Sequence, residues 1–415
     1  MSPPIDPGKR KAAVQAFATG ALALPGLAGS ASADAPIDAT AADYAFSYYK
    51  EDTLSPSDYF DTGTGSRDRY EIFAHQFKIQ TPVTARTDAT FDLVYETMSG
   101  ASPWWVEPNT DPDQPYLQAM SGASIEETRV DGQVSVDQYF DKGRLGLTGG
   151  VSSENDYLSG NFGIGAERGF NEKNTTIGLA MGWSWDTITP TEHAKFNRLS
   201  EYDKKTFALD FGVSQILSRS TILRVGLAYK RSKGFLSDPY KQVIVGQNAG
   251  GGGTKIPDAR PDTRHQLTVT GQLRQFIAAA NAALHVDAAF GHDDWKVTAF
   301  TANVRWYQTL FEILELVPKF RYYSQSDAEF YGPIFDGTPS YATSDYRLSP
   351  YGALSYGLEG IVRIASWPSD DIDLLFSLDY ERYLTSGDFA LRTVDNASPG
   401  LVDYHLFGAR IGGRF

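Results

Sequence analysis

From about residue 41 onward the chain is written in segments of roughly ten residues in which large apolar side chains alternate with small or polar ones, and this two-residue period limits the fold more than any other feature. In Thr175 to Asp186, Ile177, Leu179, Met181, Trp183 and Trp185 share one face, while Gly178, Ala180, Gly182 and Ser184 share the other. Phe207, Leu209, Phe211 and Val213 stand against Ala208, Asp210, Gly212 and Ser214 in the same way. Leu223, Val225, Leu227 and Tyr229 oppose Arg224, Gly226, Ala228 and Lys230. Near the end, Ile372, Leu374, Phe376, Leu378 and Tyr380 oppose Asp373, Leu375, Ser377, Asp379 and Glu381. Successive side chains of a strand point to opposite faces, so each segment reads as a strand with one apolar side.

A soluble sandwich alternates too, and the lengths of the connections separate the two cases. Sixteen candidate strands begin near residues 41, 68, 86, 123, 144, 157, 175, 204, 221, 263, 281, 295, 314, 347, 371 and 403. Every second connection is short: Pro82 to Arg86, Asp141 to Arg144, Asn171 to Asn174, Ser218 to Ser220, Ala278 to Ala280, Phe311 to Ile313 and Trp367 to Asp370. Most of the others are long, namely Glu51 to Arg67, Ser99 to Gly122, Thr187 to Asp203, Leu236 to Asp262, Ala328 to Tyr346 and Gly387 to Gly400; tight turns near Asn155 and Asp293 are the exceptions. Short turns on one rim and long loops on the other is the pattern of bacterial outer-membrane barrels. The expected fold is therefore an all-β transmembrane antiparallel barrel of about sixteen strands, with fourteen as the alternative.

The first residues read as an export signal: Lys9, Arg10 and Lys11 precede an Ala/Leu-rich stretch from Ala12 to Ala28, and Ala31-Ser32-Ala33 is a small-x-small cleavage site. The expected organisation is a signal peptide at 1–33, a short periplasmic segment at 34–40 and a barrel from 41 to 415. An alanine-rich disordered leader is the alternative. After the leader no apolar run reaches the ~18 residues that a spanning helix needs, so a membrane role requires a barrel. The chain carries 37 Lys and Arg against 51 Asp and Glu, which argues against a nucleic-acid partner. With no cysteine, disulfides, thiolate metal sites and Cys-ligated clusters are excluded.

The C-terminal segment puts Phe407, Ala409, Ile411, Gly413 and Phe415 on one face and Arg410 and Arg414 on the other. It resembles the strand by which the outer-membrane assembly machinery recognises its clients, so Phe407, Ile411 and Phe415 are the expected assembly signal. Trp183, Trp185, Tyr229, Trp306, Tyr322, Tyr356 and Tyr380 lie on apolar faces, where interfacial aromatic girdles would be.

Glu154-Asn-Asp-Tyr-Leu-Ser-Gly160 through Asn174-Thr-Thr-Ile177, Ser237-Asp-Pro-Tyr-Lys241 with Arg260-Pro261 and Arg264, and Tyr322 to Tyr331 resemble a bacterial family known as domain of unknown function 3570. The resemblance covers nearly the whole chain after the leader. It implies an outer-membrane barrel whose genes often lie near a periplasmic flavin transferase, a thioredoxin-like protein and a small lipoprotein, and it implies no catalytic residue. The Gly250 to Gly253 run reads as an insertion in the long loop from Leu236 to Asp262.

The six histidines, His75, His193, His265, His285, His292 and His405, show no i, i+4 or His-x-His spacing, so neither a metal nor another cofactor is expected. His292-Asp293-Asp294 could hold a cation in a tight turn, though a solvated turn serves as well. Asn109 to Asp113 lacks the spacing and glycine of a calcium loop. Ser377 and His405 could be imagined as a nucleophile and base on neighbouring strands, but no motif surrounds Ser377, and the chain is not expected to be an enzyme.

Strand phase sends a set of charges inward. Arg224, Lys230, Arg274, Arg305, Lys319, Arg321, Arg363, Arg410 and Arg414 belong to it, with Asp210, Asp287, Glu359, Asp373, Asp379 and Glu381. On the lipid face an Arg or Lys would cost roughly 2–4 kcal/mol at the midplane. The expected lumen lining is Arg224, Arg305, Lys319, Arg321, Arg363, Asp379, Glu381 and Arg410, forming either opposed walls that orient a polar solute or a lattice of salt bridges that plugs the interior. The leading functional expectation is a channel for small polar or redox-linked solutes. The alternatives are a structural or docking barrel for a periplasmic redox or flavin-transfer system, and a barrel-embedded enzyme. Expected partners are outer-membrane lipids, the assembly machinery, a small lipoprotein and periplasmic redox proteins, with both termini periplasmic.

Overall fold

Sixteen strands form one closed antiparallel ring. They are β1 (Ala41–Glu51), β2 (Glu71–Thr84), β3 (Thr87–Gly100), β4 (Ile125–Phe140), β5 (Gly143–Ser153), β6 (Tyr157–Phe170), β7 (Thr175–Ile188), β8 (Tyr202–Ser218), β9 (Thr221–Gly234), β10 (Thr263–Ile277), β11 (Ala282–Asp293), β12 (Thr298–Leu310), β13 (Leu314–Gln325), β14 (Tyr351–Trp367), β15 (Ile372–Ser386) and β16 (Tyr404–Arg414). The computed structural model describes residues 35–121, 125–191, 193–194, 198–246, 253–311, 313–367, 372–394 and 397–415. The expected signal peptide and its cleavage site, the glycines at 250–252 and the turn at 368–370 lie outside the described residues.

Closure answers a physical demand. Hydrocarbon supplies no hydrogen-bond partner, so every strand must be paired on both sides, and only a ring has no edge. The ring closes between β1 and β16, in a register running from Ala41 opposite Arg414 to Glu51 opposite Tyr404. The Phe415 amide adds one more bond, donating to the Thr40 carbonyl at 2.9 Å. No helix among the described residues is long and apolar enough to cross a membrane.

All sixteen sequence-predicted strands are present. The second, twelfth and fourteenth begin later than the alternation indicates, at Glu71, Thr298 and Tyr351, because the residues just before them are bonded into loops or a turn. The Ala101 amide donates to the Asp68 carbonyl at 2.9 Å, and the Asp345 side chain caps the turn at Tyr346–Leu348.

The short turns gather on one rim. In the turn after β6, Asn171, Glu172 and Lys173 take left-handed φ values of 50°, 55° and 68° in succession, and the Asn174 amide closes back on the Asn171 carbonyl at 3.0 Å. The long connections gather on the other rim. One glycine there is dictated by close approach: a Cβ on Gly352 would lie 2.1 Å from the backbone of Phe389, where the last loop crosses β14.

The outward face is apolar and open. Leu179, Phe211, Val225, Leu227, Val269, Phe290, Phe320 and Leu358 are exposed there, far more apolar surface than a soluble protein shows, and it forms a belt around the ring. The chain is thus a transmembrane barrel. Aromatic rings border the belt, and three Tyr–His pairs recur near the long-loop rim: the hydroxyls of Tyr44, Tyr229 and Tyr380 lie 2.8, 2.8 and 2.9 Å from Nδ1 of His75, His265 and His405. Since Leu179 sits mid-strand on this face, Leu179→Lys is expected to lower the folding free energy in lipid by about 2–4 kcal/mol. Urea titration in vesicles measures it, and an unchanged midpoint would place this face away from lipid.

Candidate functional site

The interior is the candidate site, and its wall is built by the phase of each strand. Exposed apolar residues on both sides of a position fix its direction: Val225 and Leu227 point out, so Arg224 and Lys230 point in. The same reading turns Arg305, Lys319, Arg321, Glu359, Arg363, Asp379, Glu381 and Arg410 inward.

Their surroundings differ. Lys319 Nζ lies 2.7 Å from Asp379 and 3.2 Å from Glu359. Arg363 is 3.7 Å from Asp373, and Arg410 is 2.6 Å from Asp43 across the closing seam. Arg274 meets Asp287 at 2.6 Å. Arg224, Lys230, Arg305 and Arg321 have no carboxylate within 4.0 Å among the described residues, and neither does any cation approach Glu381 that closely. The Arg321 Nε is buried without a hydrogen-bond partner. The wall is therefore a lattice in part, with four cations left over.

Charge is distributed unevenly around the ring. On β9 to β13 the inward face carries Arg224, Lys230, Arg264, Arg274, Arg305, Lys319 and Arg321 against Asp287, Asp293 and Glu315. On β1 to β7 it carries Asp43, Asp88, Asp92, Glu96, Asp131, Asp137, Glu167 and Asp186 against Lys78, Arg129 and Arg144. There the cations are paired. Lys78 is 3.7 Å from Asp92, Arg144 is 3.4 Å from Asp137 and 3.3 Å from Glu167, and Arg129 is 3.1 Å from Glu96 and 3.6 Å from Asp131. In the order of the ring β11 stands opposite β3, so a basic wall faces an acidic one.

Toward the long-loop rim the inward face carries tyrosines. Tyr404 packs between Tyr49 at 4.7 Å and Tyr383 at 4.6 Å, and Tyr323 lies 5.6 Å from Tyr351. These rings come from five consecutive strands of the closed ring, β13, β14, β15, β16 and β1. Above them the long loops build a lid with its own secondary structure. Tyr59–Phe60, Tyr116–Met120 and Pro103–Pro108 form one small sheet, and Thr254–Pro257, Gln242–Val245 and Ile334–Phe335 form another. Trp105, Ala119 and Ile244 are buried between the two, with Phe60, Trp104 and Ile334 packed around them.

A buried charge cluster locks the lid. The Asp345 side chain has no exposure, and its carboxylate faces Arg347 at 2.7 Å, Arg260 at 2.9 Å and Lys241 at 3.6 Å. Burial alone would raise its pKa, but Lys241, Arg347 and Arg260 outweigh that and hold the carboxyl well below the usual range. Arg260 also bonds Asp258, which accepts from the Thr343 hydroxyl. Lys241 donates to the Pro103 carbonyl at 3.1 Å. Arg69, 2% exposed, meets Glu51 at 2.8 Å and the Gly400 carbonyl at 3.2 Å. Five loops are thereby tied into one body.

The remaining sequence candidates are occupied by ordinary contacts. Asp293 pairs with Arg264, Asp294 accepts from the His265 amide, and His292 bonds the Thr298 hydroxyl. Ser377 points inward opposite Arg410, whereas His405 points outward onto Tyr380, so the imagined pair lies on opposite faces of the sheet. Phe407, Ile411 and Phe415 are all exposed on the final strand or at its end.

The family described as "Protein of unknown function (DUF3570)" matches residues 14–367. No curated protein matches the chain. Among solved structures, a bacterial polysaccharide outer membrane secretin is similar at 11% identity and a TM-score of 0.45, covering 91% of this chain and 99% of its own. OccK1 (OpdK) of Pseudomonas aeruginosa is similar at 12% identity and a TM-score of 0.43, over 91% and 98% of the two chains. OccD3 (OpdP) of Pseudomonas aeruginosa is similar at 10% identity and 0.43, over 93% and 94%. Identity this low is no guide to a solute.

Proposed function

This chain belongs to the DUF3570 family, and from its polarised lumen we propose that it is an outer-membrane channel for small polar solutes that carry both a positive and a negative group. The observation that carries the reading is the pair of opposed walls, with Arg224, Lys230, Arg305 and Arg321 lacking carboxylate partners among the described residues. In a low-dielectric wall, facing rows of opposite charge create a field across the pore, and a zwitterion aligns with it at little cost while a single charge is drawn to one side. The tyrosines would then act as a size filter beneath the lid.

The long loops face the cell exterior and both termini the periplasm, as short turns and an even strand count favour. The last strand, with Phe407, Ile411 and Phe415, is the part the assembly machinery reads. A small lipoprotein or a periplasmic redox protein would meet the short-turn rim.

Vesicles containing the full chain are expected to swell faster in glycine or taurine than protein-free vesicles do, and faster than with a trisaccharide. Equal swelling with and without protein would contradict a channel and leave the lattice as a plug.

A further inference from the structure

Beyond transport, the lipid-facing side of β8, β9 and β10 carries a cluster of cations that the lumen does not use. Lys205 lies directly opposite Lys233 in the β8–β9 pairing, and Arg231 lies opposite Phe207 one step along the same face. Arg231 is in turn opposite His265 of β10. Lys205, Arg231 and Lys233 are exposed, and none has a carboxylate within 4.0 Å among the described residues.

Like charges placed directly across two strands repel and are destabilising unless something lies between them. Other outward cations of this rim are neutralised: Lys50 meets Glu71 at 3.3 Å, and Arg382 meets Asp52 at 2.5 Å and Asp403 at 3.7 Å. Height matters as well. Along β9 the outward residues run Leu223, Val225, Leu227, Tyr229, Arg231 and Lys233, so the cations begin one step above the girdle tyrosine and continue away from the apolar belt. That is the depth of lipid headgroup phosphates. Trp185 of β7, opposite Lys205, offers an exposed ring at the edge of the cluster.

We propose that Lys205, Arg231 and Lys233 bind the phosphate of a phosphorylated glycolipid headgroup in the leaflet that surrounds the long-loop rim. An anion seated among the three cations would remove the Lys205–Lys233 repulsion through charge-assisted hydrogen bonds, while the acyl chains lie along the apolar belt below. Asp203, two residues from Lys205 on the same face, marks the outer limit of the site.

Native mass spectrometry of the detergent-purified full chain, titrated with bis-phosphorylated lipid A and with the same lipid after phosphate removal, tests this. The wild type is expected to retain the phosphorylated lipid and lose the dephosphorylated one. Lys205→Gln, Arg231→Gln and Lys233→Gln combined should weaken retention by roughly a hundredfold, at about 1 kcal/mol per cation near a membrane surface. Arg382→Gln, on the neutralised part of the rim, should leave retention unchanged. Heat-modifiable migration on gels reports folding of each variant; should the triple variant not fold, Lys233→Gln alone is expected to weaken retention several-fold. Equal retention of the dephosphorylated lipid, or wild-type retention by folded triple or single variants, would overturn the assignment. Swelling rates, which read the lumen, should not follow these substitutions.

Discussion

Asp345→Ala is expected to release the outer lid while the barrel stays closed. Three cations converge on this carboxylate, and removing it leaves Lys241 and Arg260, both enclosed by the lid, with too few acidic partners, while Arg347 reaches solvent. Breaking a buried ion pair in this way costs about 3–5 kcal/mol. The cost falls on the loops, because the strands hold one another through ladder bonds that Asp345 does not touch. Limited proteolysis should therefore cut within 235–262 and 326–350 many times faster than in the wild type, with heat-modifiable migration unchanged. Wild-type cutting rates would mean that the hydrophobic contact of Trp105, Ala119 and Ile244 holds the lid without help from charge.

The same cluster sets a pH response. Asp345 has a depressed pKa in the folded lid, so its contribution is present above the ordinary carboxylate value and is lost only as pH falls through the depressed one. Burial raises the Asp258 carboxyl, and a raised group acts with the opposite sign, its cost easing as pH falls through its value. Mild acidification should consequently leave the lid intact, and release should begin below the usual carboxylate range.

Most of the barrel was legible in the sequence because a membrane strand has two environments on its two sides. Val225 beside Arg224 is enough to show it: one side chain meets lipid, the next meets water, and the period of two records both. Inward direction is recorded in the same way, by the position of Arg305, Arg321 and Asp379 between apolar neighbours of opposite phase. Pairing is not. Whether Lys319 meets Asp379 depends on register and reach across β14, which a single strand does not encode. The lid was illegible as structure, since its strands are only two to six residues long and are made from loops far apart along the chain. Its traces were nevertheless present: Ser237-Asp-Pro-Tyr-Lys241 and Arg260, which carry part of the family resemblance, are parts of the buried cluster. The outward cations of β8 and β9 keep the phase of the apolar face, so alternation alone marks them only as the place where a membrane strand ends.

The second large effect concerns the leftover cations. Arg305 and Arg321 lie on adjacent strands of the basic wall and have no carboxylate within 4.0 Å among the described residues, so neutralising them removes positive charge without orphaning an acid. Lys319 and Arg363 are poorer choices, since Asp379, Glu359 and Asp373 would lose their partners. Arg305→Gln with Arg321→Gln should then shift ion preference toward cations by a few-fold and leave stability nearly unchanged, as lumen positions tune selectivity. Salt should mute the shift, because the Debye length falls from about 10 Å at 0.1 M to about 3 Å at 1 M.

The most direct test of the channel is the zero-current potential across a planar bilayer holding the full chain under a potassium chloride gradient, measured for the wild type and for Arg305→Gln with Arg321→Gln. The proposed channel with its polarised lumen predicts measurable conductance for both and a cation-ward displacement for the variant that shrinks in high salt. A wild type that conducts nothing, or a variant whose potential coincides with the wild type's at low salt, would contradict it.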